Sequence, residues 1–199
     1  MSYAIIGFGS IGQALATAFA RSGIHVSVAT THAPESFAAT AAAIGPTIVP
    51  TSLAEALEAD IVFLAVRFES HAEVAKALPT WQGKTIVDMT NAYGVPPEQL
   101  RGQPSSSFVA QAFTGARLVK GFNHLVANVL AQDTDVHGGR RVVFLASDDD
   151  AAANDIAALA EKLGFAPVKL GRLAEGGMLV QARGNTWGQL IFKDLIKFN

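Results

Sequence analysis

The sequence predicts an α/β fold built on a doubly wound, mostly parallel sheet with a small C-terminal extension. Three observations carry that prediction. Short apolar runs alternate with alanine-rich amphipathic stretches through the first half of the chain, and such alternation builds right-handed crossovers between parallel strands. A glycine-rich turn separates the first apolar run from the first helix. The 199 residues, 50% of them hydrophobic, suit one globular domain with a small appendage and not two full domains.

The elements follow in order. Tyr3 to Ile6 is a buried strand, and Ile11 to Arg21 is a helix with Ile11, Leu15, Ala18 and Phe19 on one face. Ile24 to Ala29 is the next strand. Pro34 then suits the first position of a helix, because its φ is already helical. Thr47 to Val49 is a short strand, after which Ser52 and Glu55 have the spacing of a capping box. Ile61 to Ala65 reads as a fully buried strand and Thr85 to Val87 as another. Asn91-Ala92-Tyr93-Gly94-Val95-Pro96-Pro97 is a loop rich in turn formers. Arg117 to Lys120 and Arg141 to Ala146 are further strands. Ser147 and Asp148 to Asp150 open an alanine-rich helix that reaches Leu163, with Gly164 as its stop. Acidic residues there oppose the helix dipole, a simpler account than a metal site. Phe165 to Leu170 is a last strand, and Gln189 to Phe198 a terminal helix.

Composition removes several classes of function. Fifteen basic against seventeen acidic residues give a net charge of −2, which speaks against a nucleic-acid partner. The chain has no cysteine, so disulfides, thiol catalysis and thiolate metal sites are out. The longest apolar run near the middle, Ile61 to Val66, is too short to cross a bilayer. No basic segment precedes Met1-Ser2-Tyr3-Ala4, so we expect no secretory signal and no membrane partner, and a cytoplasmic protein. His25, His32, His71, His124 and His137 show no i,i+4 pairing, so no metal site is expected. No Gly-x-Ser-x-Gly elbow is present, which removes the esterase reading.

The sharpest local signal is Gly7-Phe8-Gly9-Ser10-Ile11-Gly12, directly after the first strand and opening a helix. Gly7 permits the tight turn, Gly9 lets the backbone approach a pyrophosphate, and Gly12 lets helix and strand pack closely. The helix N-terminus offers free N–H groups and partial positive charge to the phosphates. Strand, helix and second strand fall within the span that a dinucleotide-binding unit requires. The fold class is therefore a Rossmann one, with residues 1–147 as the dinucleotide-binding core. Residues 148–199 are expected to complete the fold.

Ala29-Thr30-Thr31-His32 ends the second strand, where a reader of NAD would place Asp or Glu for the ribose 2′-hydroxyl. Nothing acidic stands there. Thr30, Thr31 and His32 can donate hydrogen bonds to a 2′-phosphate, although no arginine offers the bidentate contact that such sites favour. Glu35 lies near enough in sequence to reach the ribose. The balance favours NADP, with NAD left open, and the same threonines could instead simply cap the following helix.

Further segments carry a family resemblance. Beside the glycine loop, they are Phe63-Leu64-Ala65-Val66, Asp88-Met89-Thr90-Asn91 and Val119-Lys120-Gly121-Phe122-Asn123-His124. Leu163-Gly164-Phe165-Ala166-Pro167-Val168 with Gly171 and Leu173 also fits, as do Glu175-Gly176 and Gln181-Ala182-Arg183-Gly184-Asn185-Thr186-Trp187. In this order the chain resembles the NADPH-dependent coenzyme F420 reductase family, whose relatives include the reductase domain of membrane ferric reductases. The resemblance implies a homodimer that moves hydride between NADPH and F420 or a flavin, with a small-molecule redox substrate as its partner. Residues 148–199 would then supply a substrate cleft and a dimer contact. It implies that Gly7, Gly9, Ser10, Ile11 and Gly12 hold the pyrophosphate, and Thr30, Thr31 and His32 the 2′-phosphate. Ala65, Val66 and Arg67 would flank the ribose and nicotinamide, with Asn91 and Ala92 beside the ring. Two departures stand out: the family shows Ser-Arg at Thr30-Thr31, and Asn-Pro at Asn91-Ala92.

Asn123 and His124 are the candidate catalytic residues, as polar groups after a strand end, where ligands gather in open parallel sheets. Asn123 could equally cap a helix starting near Leu125, and His124 could simply be structural. Arg67 could meet a phosphate or carboxylate, and Trp187 with Phe192 reads as core or dimer interface. No acid–base constellation appears, which suits hydride transfer, because the cofactors carry the difficult chemistry. Two rival readings remain: a non-catalytic sensor of the NADPH/NADP ratio, and a dehydrogenase of a small carbonyl substrate with His124 as proton donor.

Overall fold

The computed structural model describes residues 1–182 and 194–195. Its elements in chain order are β1 (Tyr3–Ile6), α1 (Ser10–Arg21), β2 (Val26–Ala29), α2 (Ala38–Ile44), β3 (Ile48–Pro50), α3 (Leu53–Ala56) and β4 (Ile61–Leu64). They continue with α4 (His71–Ala75), β5 (Thr85–Asp88), α5 (Pro97–Leu100), α6 (Ser105–Ala112), β6 (Arg117–Gly121) and α7 (Ala127–Leu130). The last are β7 (Asp135–Val136), β8 (Gly139–Ser147), α8 (Asp150–Lys162), β9 (Ala166–Lys169) and β10 (Asp194–Leu195).

One sheet runs β3-β2-β1-β4-β5-β6-β8. The first six of these strands are parallel. β8 then pairs antiparallel with β6, and β9 pairs parallel with β8, so the sheet is mostly parallel, as the sequence predicts. The outer half of β8 carries β7 and β10 as antiparallel neighbours.

Period-two alternation divides the buried strand residues between two cores. Ile5, Phe63, Val87 and Val119 face one layer with α1 and α8. Ala4, Ile6, Leu64, Ile86 and Leu118 face the other, with Trp81, Val109 and Phe113. On the first face Phe19, Phe63, Phe122 and Phe165 form a chain of edge-to-face contacts with centroids 5.7, 5.9 and 5.8 Å apart. Each buried ring contributes about 1.5–3 kcal/mol through area removed from water, and its edge geometry adds to that.

Local signals act where the sequence places them. Ser52 and Glu55 form the capping box of α3, with Ser52 N–H donating to Glu55 Oε2 at 2.9 Å, and these bonds hold the Glu55 carboxyl below its usual pKa. Asp149 caps α8 by accepting from the Ala152 N–H at 2.8 Å, while Asp148 accepts from the Leu173 N–H at 3.2 Å. The aspartates thus have backbone duties. Gly164 follows α8 with φ +90°, the left-handed stop expected of it.

Three expectations need correction or a boundary. Helices α4 to α6 lie where no helix is predicted; α6 opens on Pro104-Ser105-Ser106-Ser107, which reads locally as a turn. The terminal helix over Gln189 to Phe198 meets the described residues only at Asp194–Leu195, and these form a strand against Arg140–Arg141. The Arg183 to Trp187 segment and Phe192 lie outside the described residues. Among the described residues no helix is long and apolar enough to cross a membrane.

Candidate functional site

The order of the sheet reverses between β1 and β4: the chain runs outward from β1 through β2 to β3, then returns to β4 on the other side of β1. The connections leaving β1 and β4 therefore diverge and open a crevice at the carboxyl ends of the strands. Two cavities occupy it. One, of about 570 Å³, lies between the β1–α1 turn, the end of β4 and the segment from Met89 to Gly94. The other, of about 920 Å³, lies between the same turn, the end of β2 and the turn after β4. Gly9, Val66 and Arg67 line both, so the two are halves of one cleft.

The three glycines of the turn differ in what they serve. Gly7 has φ +99°, and a Cβ on it would stand 2.4 Å from the Ala65 carbonyl oxygen. A Cβ on Gly12 would stand 2.0 Å from the Gly7 carbonyl oxygen, so this residue lets α1 lie close on β1. Gly9 has ordinary backbone angles, φ −76° and ψ −167°, and its Cβ position meets nothing within 4 Å. No protein contact demands glycine there; the open space lies in the cleft. Beside it, α1 starts without a side-chain cap and without an acidic residue in its first turn. Ser10 and Ile11 of that turn line the smaller cavity. A bare Cα next to uncapped helix amides is a cradle of the kind a diphosphate fills.

The remaining candidates divide. Thr30, Thr31 and His32 line the larger cavity, with Thr30 Oγ1 already accepting from the His32 N–H at 2.9 Å. Ala65, Val66, Arg67 and Asn91 line the smaller one. Ala92 does not; it is buried in the second core. Gly12 also lies off both cavities. Sequence reasoning missed Glu69, Met89, Thr90, Tyr93 and Gly94 on the smaller cavity, and Ser36, Phe37 and Glu73 on the larger. The position of Met89 and Thr90 just past the carboxyl end of β5 is the signal that could have found them. Glu69 and Arg67 are the charged residues lining the smaller cavity.

Asn123 and His124 line neither cavity. Asn123 stands behind Asn91: Asn91 Nδ2 donates to the Asn123 carbonyl at 2.8 Å, and Asn123 Nδ2 donates to Asn91 Oδ1 at 3.1 Å and to the Val180 carbonyl at 2.9 Å. It does not cap α7, whose N-terminal flank is Val126. His124 packs on Phe144 of β8, with centroids 4.7 Å apart, and its ring nitrogens are buried, with the Val142 backbone as a polar neighbour and no well-formed hydrogen bond to it. Burial lowers its pKa to about 4, opposed only in part by the backbone of Val142.

Residues 2–92 match the family model described as NADP oxidoreductase coenzyme F420-dependent. Among solved structures, the chain is similar to hypothetical protein SMa0349 of Sinorhizobium meliloti, at 37% identity and a TM-score of 0.90, over 100% of this chain and 96% of that one. It is similar to a candidate F420-dependent NADP reductase of Arthrobacter sp. FB24, at 25% identity and a TM-score of 0.71, over 87% of this chain and 86% of that one. Metalloreductase STEAP3 of Rattus norvegicus is 26% identical over 175 residues, which make up 85% of this chain and 34% of the relative. The chain thus spans about a third of the length of the curated relatives it matches.

Proposed function

We propose a function on one premise: the chain belongs to the NADP oxidoreductase family described as coenzyme F420-dependent. The reading is hydride transfer between NADPH and a deazaflavin (F420) or flavin-type acceptor. The observation that carries it is the open Gly9 position beside the uncapped start of α1, midway along a cleft with room on both sides. Gly9, Ser10 and Ile11 would hold the diphosphate. Thr31 and His32, with Arg67 facing the same cavity, would take the 2′-phosphate, so that Arg67 offers the cation absent from the end of β2. Asn91, Thr90 and Met89 would line the place of the nicotinamide.

NADPH, when bound, supplies the hydride, and the protein's contribution is to orient the two rings and keep water away. Alignment of this kind can lower a barrier by about 7–11 kcal/mol. Ile11, Val66 and Met89 give the smaller cavity its apolar lining. A dehydrogenase of a small carbonyl substrate would need a proton donor at the carbonyl, and its candidate, His124, lines neither cavity.

Mixing the protein with NADPH and a panel of F420, FMN and FAD should bleach the nicotinamide absorbance with at least one acceptor. Tight NADPH binding with no turnover on any of them would favour the sensor reading instead. Nucleotide preference gives a second check. Thr31→Arg should raise the NADPH-over-NADH affinity ratio about tenfold and Arg67→Gln should lower it about tenfold, the worth of one charge-assisted hydrogen bond. Ratios unchanged in both variants would mean that neither rim of the larger cavity reads the ribose.

A further inference from the structure

Behind the Met89–Gly94 wall of the smaller cavity lies a charged pair that hydride transfer does not require. Lys120 on β6 and Asp88 at the end of β5 are both sealed from water, at 1% and 0% side-chain exposure, with Lys120 Nζ 3.1 Å from Asp88 Oδ2. Lys120 Nζ also donates to the Thr90 carbonyl. The other Asp88 oxygen, Oδ1, accepts from the Thr90 N–H at 2.9 Å and from Thr90 Oγ1 at 2.7 Å. Removing two ions from water roughly cancels their attraction, and apolar replacement of such a pair is often neutral or stabilising. Stability therefore does not explain it. Geometry does: the carbonyl, amide and hydroxyl of Thr90 are all bound by the pair.

A second tie reaches the next residue. Asn123, three positions after Lys120, exchanges two hydrogen bonds with Asn91. Between them Phe122, fully buried, takes φ +60°, a left-handed conformation that costs a side-chain-bearing residue about 1–2 kcal/mol. The same short stretch of chain thus reaches both Thr90 and Asn91, the two residues that directly follow Met89 in the cavity wall.

We propose that Lys120, Asp88 and Asn123 are positioning residues that fix Thr90 and Asn91 as the wall of the nicotinamide cavity, setting how that end of the dinucleotide lies and leaving the adenosine end untouched. The proposal rests on the reading that the cleft takes NADPH. Its test uses the full chain carrying Lys120→Met and Asp88→Asn together, because either alone leaves a buried partner unmatched, while the asparagine keeps an oxygen for the Thr90 amide. In the free protein, amide exchange over residues 89–95 should quicken about tenfold while the strand cores stay protected. Affinity for NADPH should fall about tenfold, and affinity for 2′,5′-ADP, which lacks the nicotinamide, should hold. Unchanged exchange over 89–95, or equal weakening of both nucleotides, overturns the proposal. Should the double variant fail to fold, Asn123→Ala leaves the pair in place and carries the same two readouts. A parent chain that binds neither nucleotide would defeat the functional reading separately, and exchange would still decide whether the network orders the wall.

Discussion

Gly9→Val is expected to abolish measurable NADPH binding and leave the melting temperature where it stands, whereas Gly12→Ala is expected to destabilise the fold itself. The two positions lie three residues apart in one turn, and only their surroundings differ. At Gly9 the backbone angles suit any L-residue and a Cβ meets no protein atom within 4 Å, so valine folds without strain and fills the space proposed for the diphosphate. A loss of at least about a hundredfold, roughly 2.7 kcal/mol, is expected in a calorimetric titration. At Gly12 the added carbon would stand 2.0 Å from a backbone oxygen that no rotamer change can move. Helix α1 must then lift from β1, at a cost of about 3 kcal/mol, which lowers the melting temperature by roughly 6–12 °C in a domain of this size. Full NADPH affinity in Gly9→Val would mean that no diphosphate lies over that residue.

The second large effect is a dependence on pH that comes from His124. Its pKa is about 4 in the fold, against an ordinary value of 6.5, because burial disfavours the imidazolium. The unfolded chain therefore takes up a proton first as pH falls, and stability declines between pH 6.5 and 4. Above that window the imidazole is neutral in both states, and below it both are protonated, so the loss saturates. It amounts to about 2 kcal/mol by pH 5 and about 3 kcal/mol at saturation. His124→Phe should flatten this slope. It also removes two buried nitrogens that make no well-formed hydrogen bond, so stability at neutral pH should hold or rise. Urea unfolding at pH 7 and pH 5 measures both. The same acid sensitivity in parent and variant would show that another group titrates.

Much of the architecture follows from local information. Four-residue apolar runs such as Ile61–Leu64 have to be buried on both faces, and the spacing of Gly7, Gly9 and Gly12 declares its turn before any strand has found a neighbour. Capping at Ser52 and Asp149 is equally local, since donor and acceptor lie within three residues of each other. Helix α6 was not legible in this way: Ser105-Ser106-Ser107 reads as a turn, and the helix is held by burial of Val109 and by Gln181, 76 residues on, which accepts from the Ser105 amide.

The site shows the same division. Asn91 and Ala92 are neighbours in the chain, yet one faces the cavity and the other enters the core. Lys120 reads as an ordinary charged strand residue, and only the pairing of β5 with β6 seals it against Asp88, 32 positions away. The sequence by itself determined the parallel strands, the helices α1 and α8 and the bare glycine turn between β1 and α1, because those depend on side-chain period and on the absence of Cβ atoms. Tertiary structure alone decided which polar groups face the cleft and which stand behind its wall, because burial and pairing between distant residues exist only once the sheet has brought them together.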